Sequence, residues 1–225
     1  MRLPLPQFNT QNRQPGYFAE VIETATTEFL AQCLEPEDLS FAVMPPFGSW
    51  VQARDEESGN QIFAVVYHAT TSPIDSVHRA RALGMSLSEL REQQPQIFAM
   101  LRTEFRAAIV GFQPPHPSAN GNGKSHLPSP QIYQHLPPRP PQIHQAVSYC
   151  EPEAIVHFSQ QLDFLRTLLQ VNGAPVDALV AAAIREIYRL RQADRAWLVE
   201  VGRAISILLK EDFDRLRIIL NQIHI

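Results

Sequence analysis

The chain has 225 residues, 44% hydrophobic and 19% charged, with a formal net charge of −4 and a pI near 6.1. That apolar share excludes a disordered protein, and the acidic balance opposes wholesale nucleic-acid binding, which needs a basic domain. Two cysteines, Cys33 and Cys150, exclude a disulfide framework and a CxxC zinc site, and read as reduced thiols of a cytoplasmic protein, with a single bridge between them as the alternative. No window reaches the ~18 uninterrupted apolar residues of a membrane span. The first residues, Met1 to Pro6, lack the apolar run of a signal peptide.

Up to residue 112 the pattern is that of strands. Tyr17 to Thr24 and Thr26 to Cys33 are short, rich in β-formers and partly alternating. Pro36 and Pro45-Pro46 interrupt, and Gly48 to Ala53 resumes the pattern. The polar run Asp55 to Asn60, with Gly59, has the composition of a hairpin turn. Gln61 to Ala69 is the most apolar strand, and Thr103 to Phe112 is another. Between them Ser86 and Glu89 have capping-box spacing for a short helix that Pro95 ends or kinks, and a further turn spans Gln96 to Leu101. Several short strands of this kind predict a small barrel or sandwich.

Nine of the nineteen prolines fall between Pro114 and Pro141, so residues 113–141 read as a mobile proline-rich insertion. Within it, Pro137-Pro138-Arg139-Pro140-Pro141 has the composition of a polyproline ligand, or more simply of a linker. Gln131 to Leu136 and Ile143 to Val147 are candidate closing strands.

From Glu151 the period becomes helical. Ile155, Phe158, Leu162, Leu165 and Leu169 form one continuous apolar stripe, with Pro152 in the first turn and Gly173 as the stop. Pro175 opens a second helix with Val176, Val180, Ala183, Ile187 and Leu190 on one face. Asp194 caps a third carrying Trp197, Val201, Ala204, Ile205 and Leu208. Phe213, Leu216, Leu220 and Ile223 mark a fourth, which assigns Trp197 and Phe213 to the core. The expectation is an α+β chain: a β domain over residues 1–150 and an antiparallel helical bundle over 151–225.

Residues with chemistry are sparse. His68, Asp75 and His78 share one loop and are of metal-ligand type, yet no i, i+4 pair fixes two of them, so a Pro73–Asp75 turn explains them more simply. Ser72 or Ser76 with Asp75 and His78 holds the residue types of a triad without a nucleophile elbow. Gly123-Lys124-Ser125 ends like a P-loop but lacks the earlier glycine and the strand-to-helix setting. Hence no catalytic residue, metal ligand or cofactor site is assigned. Arg79, Arg81, Arg91, Arg102 and Arg106 make a basic cluster diluted by Glu89, Glu92 and Glu104.

Three stretches, Ala19 to Gln32, Pro45 to Val51 and Phe63 to Asp75, resemble a HAS-barrel, the small β-barrel of HerA-type helicases and ATP synthases. They read as a paired strand, a glycine entry into a strand, and an apolar strand leaving through a Thr/Ser-Pro-x-Asp loop. The chain is also similar to uncharacterised cyanobacterial proteins that carry this barrel without an ATPase core. The resemblance covers about half the chain and implies a module that helps a ring-forming ATPase assemble. It leads to a non-catalytic adaptor whose barrel docks onto such a ring, or onto copies of itself, through strand edges and apolar faces. By residue type, the contact residues are Phe47, Trp50, Tyr67 and Arg79. The alternative is an accessory of a HerA-like translocase that touches DNA through the arginines from Arg79 to Arg106.

Overall fold

Apolar residues on alternate positions drive strand pairing, and here they drive it to closure. In the computed structural model, which describes residues 16–35, 43–74, 81–94, 96–115, 131–210 and 212–223, six strands form a barrel. They are β1 (Tyr17–Thr24), β2 (Glu28–Cys33), β3 (Trp50–Arg54), β4 (Gln61–Pro73), β5 (Leu101–Gln113) and β6 (Ala146–Tyr149). Each pairs antiparallel with its neighbours in the closed order β1-β2-β5-β4-β3-β6. Closure removes the free sheet edges on which strand addition acts, so edge docking by the barrel, one of the expected routes, is replaced by pairing within it.

Inward-facing Phe29, Val51, Ile62, Val66, Phe105 and Ile109 fill the barrel, as side chains fill any barrel this small. Two bulges interrupt the β4–β5 ladder. Phe63 pairs with Gly111 but Ala64 with Ile109, so Val110 is extra; Val66 pairs with Ala107 but His68 with Arg106, so Tyr67 is extra. Both extra residues join a second core outside the barrel.

That outer core is built jointly by the barrel wall and the helices. Trp50, Phe63 and Val65 from the wall meet Phe158, Phe164 and Leu179. The rings interlock edge-on: Trp50 lies 5.2 Å from Phe158 and 5.4 Å from Phe164, centroid to centroid. The short helices α1 (Leu87–Gln93) and α2 (Gln96–Ala99) sit between β4 and β5, and Ser86 and Glu89 form the expected capping box of α1.

The remaining helices are α3 (Pro152–Phe158), α4 (Phe164–Leu168), α5 (Val176–Leu190), α6 (Arg195–Leu209) and α7 (Phe213–Ile223). The stripe from Ile155 to Leu169, expected as one helix, is two. The buried side chain of Gln134 explains the break: its Nε2 donates to the carbonyls of Phe158 (2.6 Å) and Gln161 (3.0 Å), and its Oε1 accepts from Phe164 N–H (2.9 Å). Those backbone groups bond to Gln134 instead of continuing the helical ladder. Helix α5 is buried almost all round, from Leu179 to Ile184 and at Ile187, because it is the central helix. Asp194 caps α6 by accepting from Ala196 and Trp197 N–H. Trp197 is core, with Nε1 donating to Ser159 O at 2.9 Å. Phe213 is not: it is 68% exposed at the start of α7, whose buried residues are Ile219 and Ile223. Arg215 on α7 pairs with Asp177 on α5 at 2.6 Å.

Of the two candidate closing strands, only the second becomes one, as β6. Around the first, Tyr133 makes a single antiparallel bridge to Phe112, two N–H···O bonds of 2.9 Å. The proline-rich stretch is partly outside the described residues, at 116–130; its remainder packs down. Pro137 and Pro141 are buried, Pro138 and Arg139 are exposed, and Arg139 pairs with Glu57.

Candidate functional site

A groove of about 1450 Å³ runs along the outer barrel face between β2, β4 and β5, the segment 131–136, and α4 with the residues that follow it. Its floor carries a linked set of polar side chains. Tyr67 Oη donates to Glu28 Oε2, and Arg106 Nη1 donates to Glu28 Oε1 at 2.9 Å. Arg106 Nη2 lies 3.7 Å from Glu23. The β4 bulge turns Tyr67 toward this face, and Leu30↔Arg106 pairing places the guanidinium beside Glu28, two residues earlier on β2. Burial pushes the Tyr67 hydroxyl up to about 12, aided by the hydrogen bond and charge of Glu28 and opposed by Arg106.

The groove wall formed by α4 and the loop after it brings Arg166, Thr167, Gln170 and Asn172. At the segment 131–136, Tyr133 stacks on Phe112 (5.3 Å, 25° between planes) and His135 stands edge-on to Phe112 at 5.4 Å.

Of the four residues chosen from sequence, the three that are described do not share a surface. Phe47 is 42% exposed, on the corner before β3. Trp50 is 2% exposed and sits in the outer core, while Tyr67 is 6% exposed and gives its hydroxyl to the groove floor. Arg79 lies outside the described residues, as do Asp75 and His78 of the candidate metal loop. Among the described residues no group of three His, Cys, Asp or Glu side chains is placed to hold a metal. Both cysteines are buried, and burial pushes Cys33 up to about 11 and raises Cys150 as well, so neither is an activated thiol. No helix among the described residues is long and apolar enough to cross a membrane.

The corner that carries Phe47 is firmly held. Gly48 N–H donates to Val66 O at 2.8 Å, Val66 N–H donates to Ser49 O at 3.0 Å, and Ser49 Oγ donates to Pro46 O at 2.7 Å. Gly48 has φ +83°, and a Cβ there would stand 2.5 Å from the Ala182 Cβ on α5. Only glycine permits both the turn and the approach to α5. Val43 and Met44, a few residues earlier, are exposed like Phe47.

Residues of the groove floor come from three strands, and sequence spacing carries no signal for them. Only the strand register brings Glu28, Tyr67 and Arg106 together. No family model matches this chain, and no curated protein is similar to it.

Proposed function

We propose that the protein is an assembly module of the HAS-barrel type, a barrel backed by an antiparallel helical bundle, that docks onto a ring-forming ATPase or onto copies of itself without catalysing a reaction. The Phe47 corner carries this reading. Three exposed apolar side chains, Val43, Met44 and Phe47, stand on or beside a turn fixed to both β4 and α5. Apolar groups shown to solvent from a preorganised turn lose little freedom on binding, which favours a protein partner. The alternative of a DNA-contacting surface finds less support. Arg102 pairs with Glu104, Arg106 with Glu28 and Glu23, and Arg91 lies over the Phe98 ring, so phosphate contacts by these three would compete with existing ones.

The test uses the full chain, since cutting at Cys150 would strip the cover from Trp50, Phe63 and Val65. Light scattering coupled to size exclusion gives the solution mass of the wild type and of Phe47→Asp. An oligomer that falls to monomer in the variant supports self-docking; one that persists refutes docking at this corner. If the wild type is a monomer, a photo-crosslinking residue at position 47 tests for another partner in cells. Crosslinks to a ring-forming ATPase support the proposal, and their absence overturns it.

A further inference from the structure

We propose that the groove between the barrel and α4 holds an extended, uncharged peptide segment of the docking partner, a proposal that rests on reading the protein as a docking module. Size is the first argument. At about 1450 Å³ the groove exceeds the ~300–1,000 Å³ typical of small-molecule pockets, as a site for a length of chain must.

Charge is the second. The formal charges lining the groove are Glu28 and Asp163 against Arg106 and Arg166, two of each sign, and Glu28 and Arg106 already bind each other. A phosphate backbone needs an excess of cations, and a strongly charged peptide needs an excess of one sign. This lining offers neither.

The third argument is the kind of polar group left open. The side chains of Gln131, Gln161, Gln170 and Asn172, and the Thr167 hydroxyl, line the groove without a hydrogen bond to any described residue. By contrast Gln134, Glu28, Tyr67 and Arg106 are all engaged. A side-chain amide presents one acceptor and a pair of donors, the complement of a backbone peptide unit. Amides along a groove therefore read main chain whatever its sequence, as main-chain bonding does in other extended-peptide sites. Tyr133 and His135, which line the groove with their rings 5.5 Å apart, supply a platform for one anchoring side chain.

A display library of random linear peptides, panned on immobilised full-length protein, tests this. The expected result is enrichment of uncharged peptides, with affinity falling about tenfold or more in the Gln170→Ala/Asn172→Ala double variant. Both positions are exposed, and circular dichroism and melting checks that the variant folds. Enrichment of no peptide, or of peptides whose binding ignores the double variant, overturns the proposal. So does binding on a glycan array in place of peptides. Phe47→Asp separates the two proposals. Peptide binding that survives it while assembly does not supports both, and assembly lost at Phe47 with no peptide bound refutes the groove alone. Peptides bound in the groove while assembly ignores Phe47→Asp refute the corner alone.

Discussion

Gly111 of β5 lies against the ring of Phe158 of α3, so closely that a Cβ on it would stand 2.9 Å from Phe158 Cε2 and 2.4 Å from the Tyr133 carbonyl oxygen. The ring is locked among Trp50, Phe63 and Phe164. The carbonyl is held as well, because Tyr133 and Phe112 exchange two backbone hydrogen bonds. This contact sets how near the helices sit to the barrel wall, and with it the position of the groove.

Gly111→Ala should therefore be destabilised by about 3 kcal/mol, at the upper end of ordinary overpacking costs. Gly202 is the control. It lies inside α6, where the nearest neighbour of an added methyl would be Leu220 Cδ2 at 4.0 Å, so Gly202→Ala should gain about 1 kcal/mol of helix propensity. Urea unfolding of the two variants should move the midpoint in opposite directions. A Gly111→Ala midpoint equal to the wild type would mean that the Tyr133 segment gives way freely.

Gln134 makes the second prediction. It meets two carbonyls and one N–H that no other described residue satisfies, at the break between α3 and α4. Gln134→Ala leaves all three unpaired and should cost about 3 kcal/mol, roughly one per bond. Gln134→Glu keeps the acceptor for Phe164 N–H but aims a carboxylate oxygen at two carbonyl oxygens. The glutamate is stabilised in its protonated form, so its folded-state pKa is raised. The variant should be least stable at neutral pH and recover as pH falls through that pKa, which urea midpoints across a pH series will read. A pH-independent loss would contradict the hydrogen-bond geometry.

Strands β1, β2 and β3 were legible because each is short and bounded by proline, glycine or a polar turn. Strands β4 and β5, 13 residues each, showed through their apolar runs and extend past them. The Asp55–Asn60 turn closes as its composition implies, with Asp55 N–H donating to Asn60 O at 2.9 Å. Capping residues were equally direct, since Ser86 and Asp194 act on backbone within three residues of themselves. What failed to show was whatever depends on distant chain. A period of 3.6 continues unbroken across residues 159–163, but Gln134, over twenty residues earlier, ends the helix there. Phe213 keeps the spacing of its stripe, yet α7 buries the face of Ile219 and Ile223. Burial of Trp50 and Tyr67 follows from a helix layer lying over the barrel, and alternation within a strand does not say which of its two faces is covered. The groove floor is the extreme case, since two bulges and a three-strand register set it.

The last prediction concerns Tyr67. Its hydroxyl is held neutral by burial and by donation to Glu28, with its pKa pushed up to about 12. Since tyrosine ionises near 10 in an unfolded chain, the stabilisation is complete below about 10 and is lost as pH rises from there through the folded value. Titration of tyrosinate absorbance should show part of the rise delayed toward pH 12, and Tyr67→Phe should reduce that part to what Tyr149, itself raised by burial, contributes. The same variant should lose about 1 kcal/mol at neutral pH, the worth of one hydrogen bond. Its stability should then fall less steeply than the wild type's as pH climbs above 10, because the group whose ionisation opposes folding is gone. A wild-type titration completed at the ordinary tyrosine range would show that Glu28 and Tyr67 are not bonded in solution.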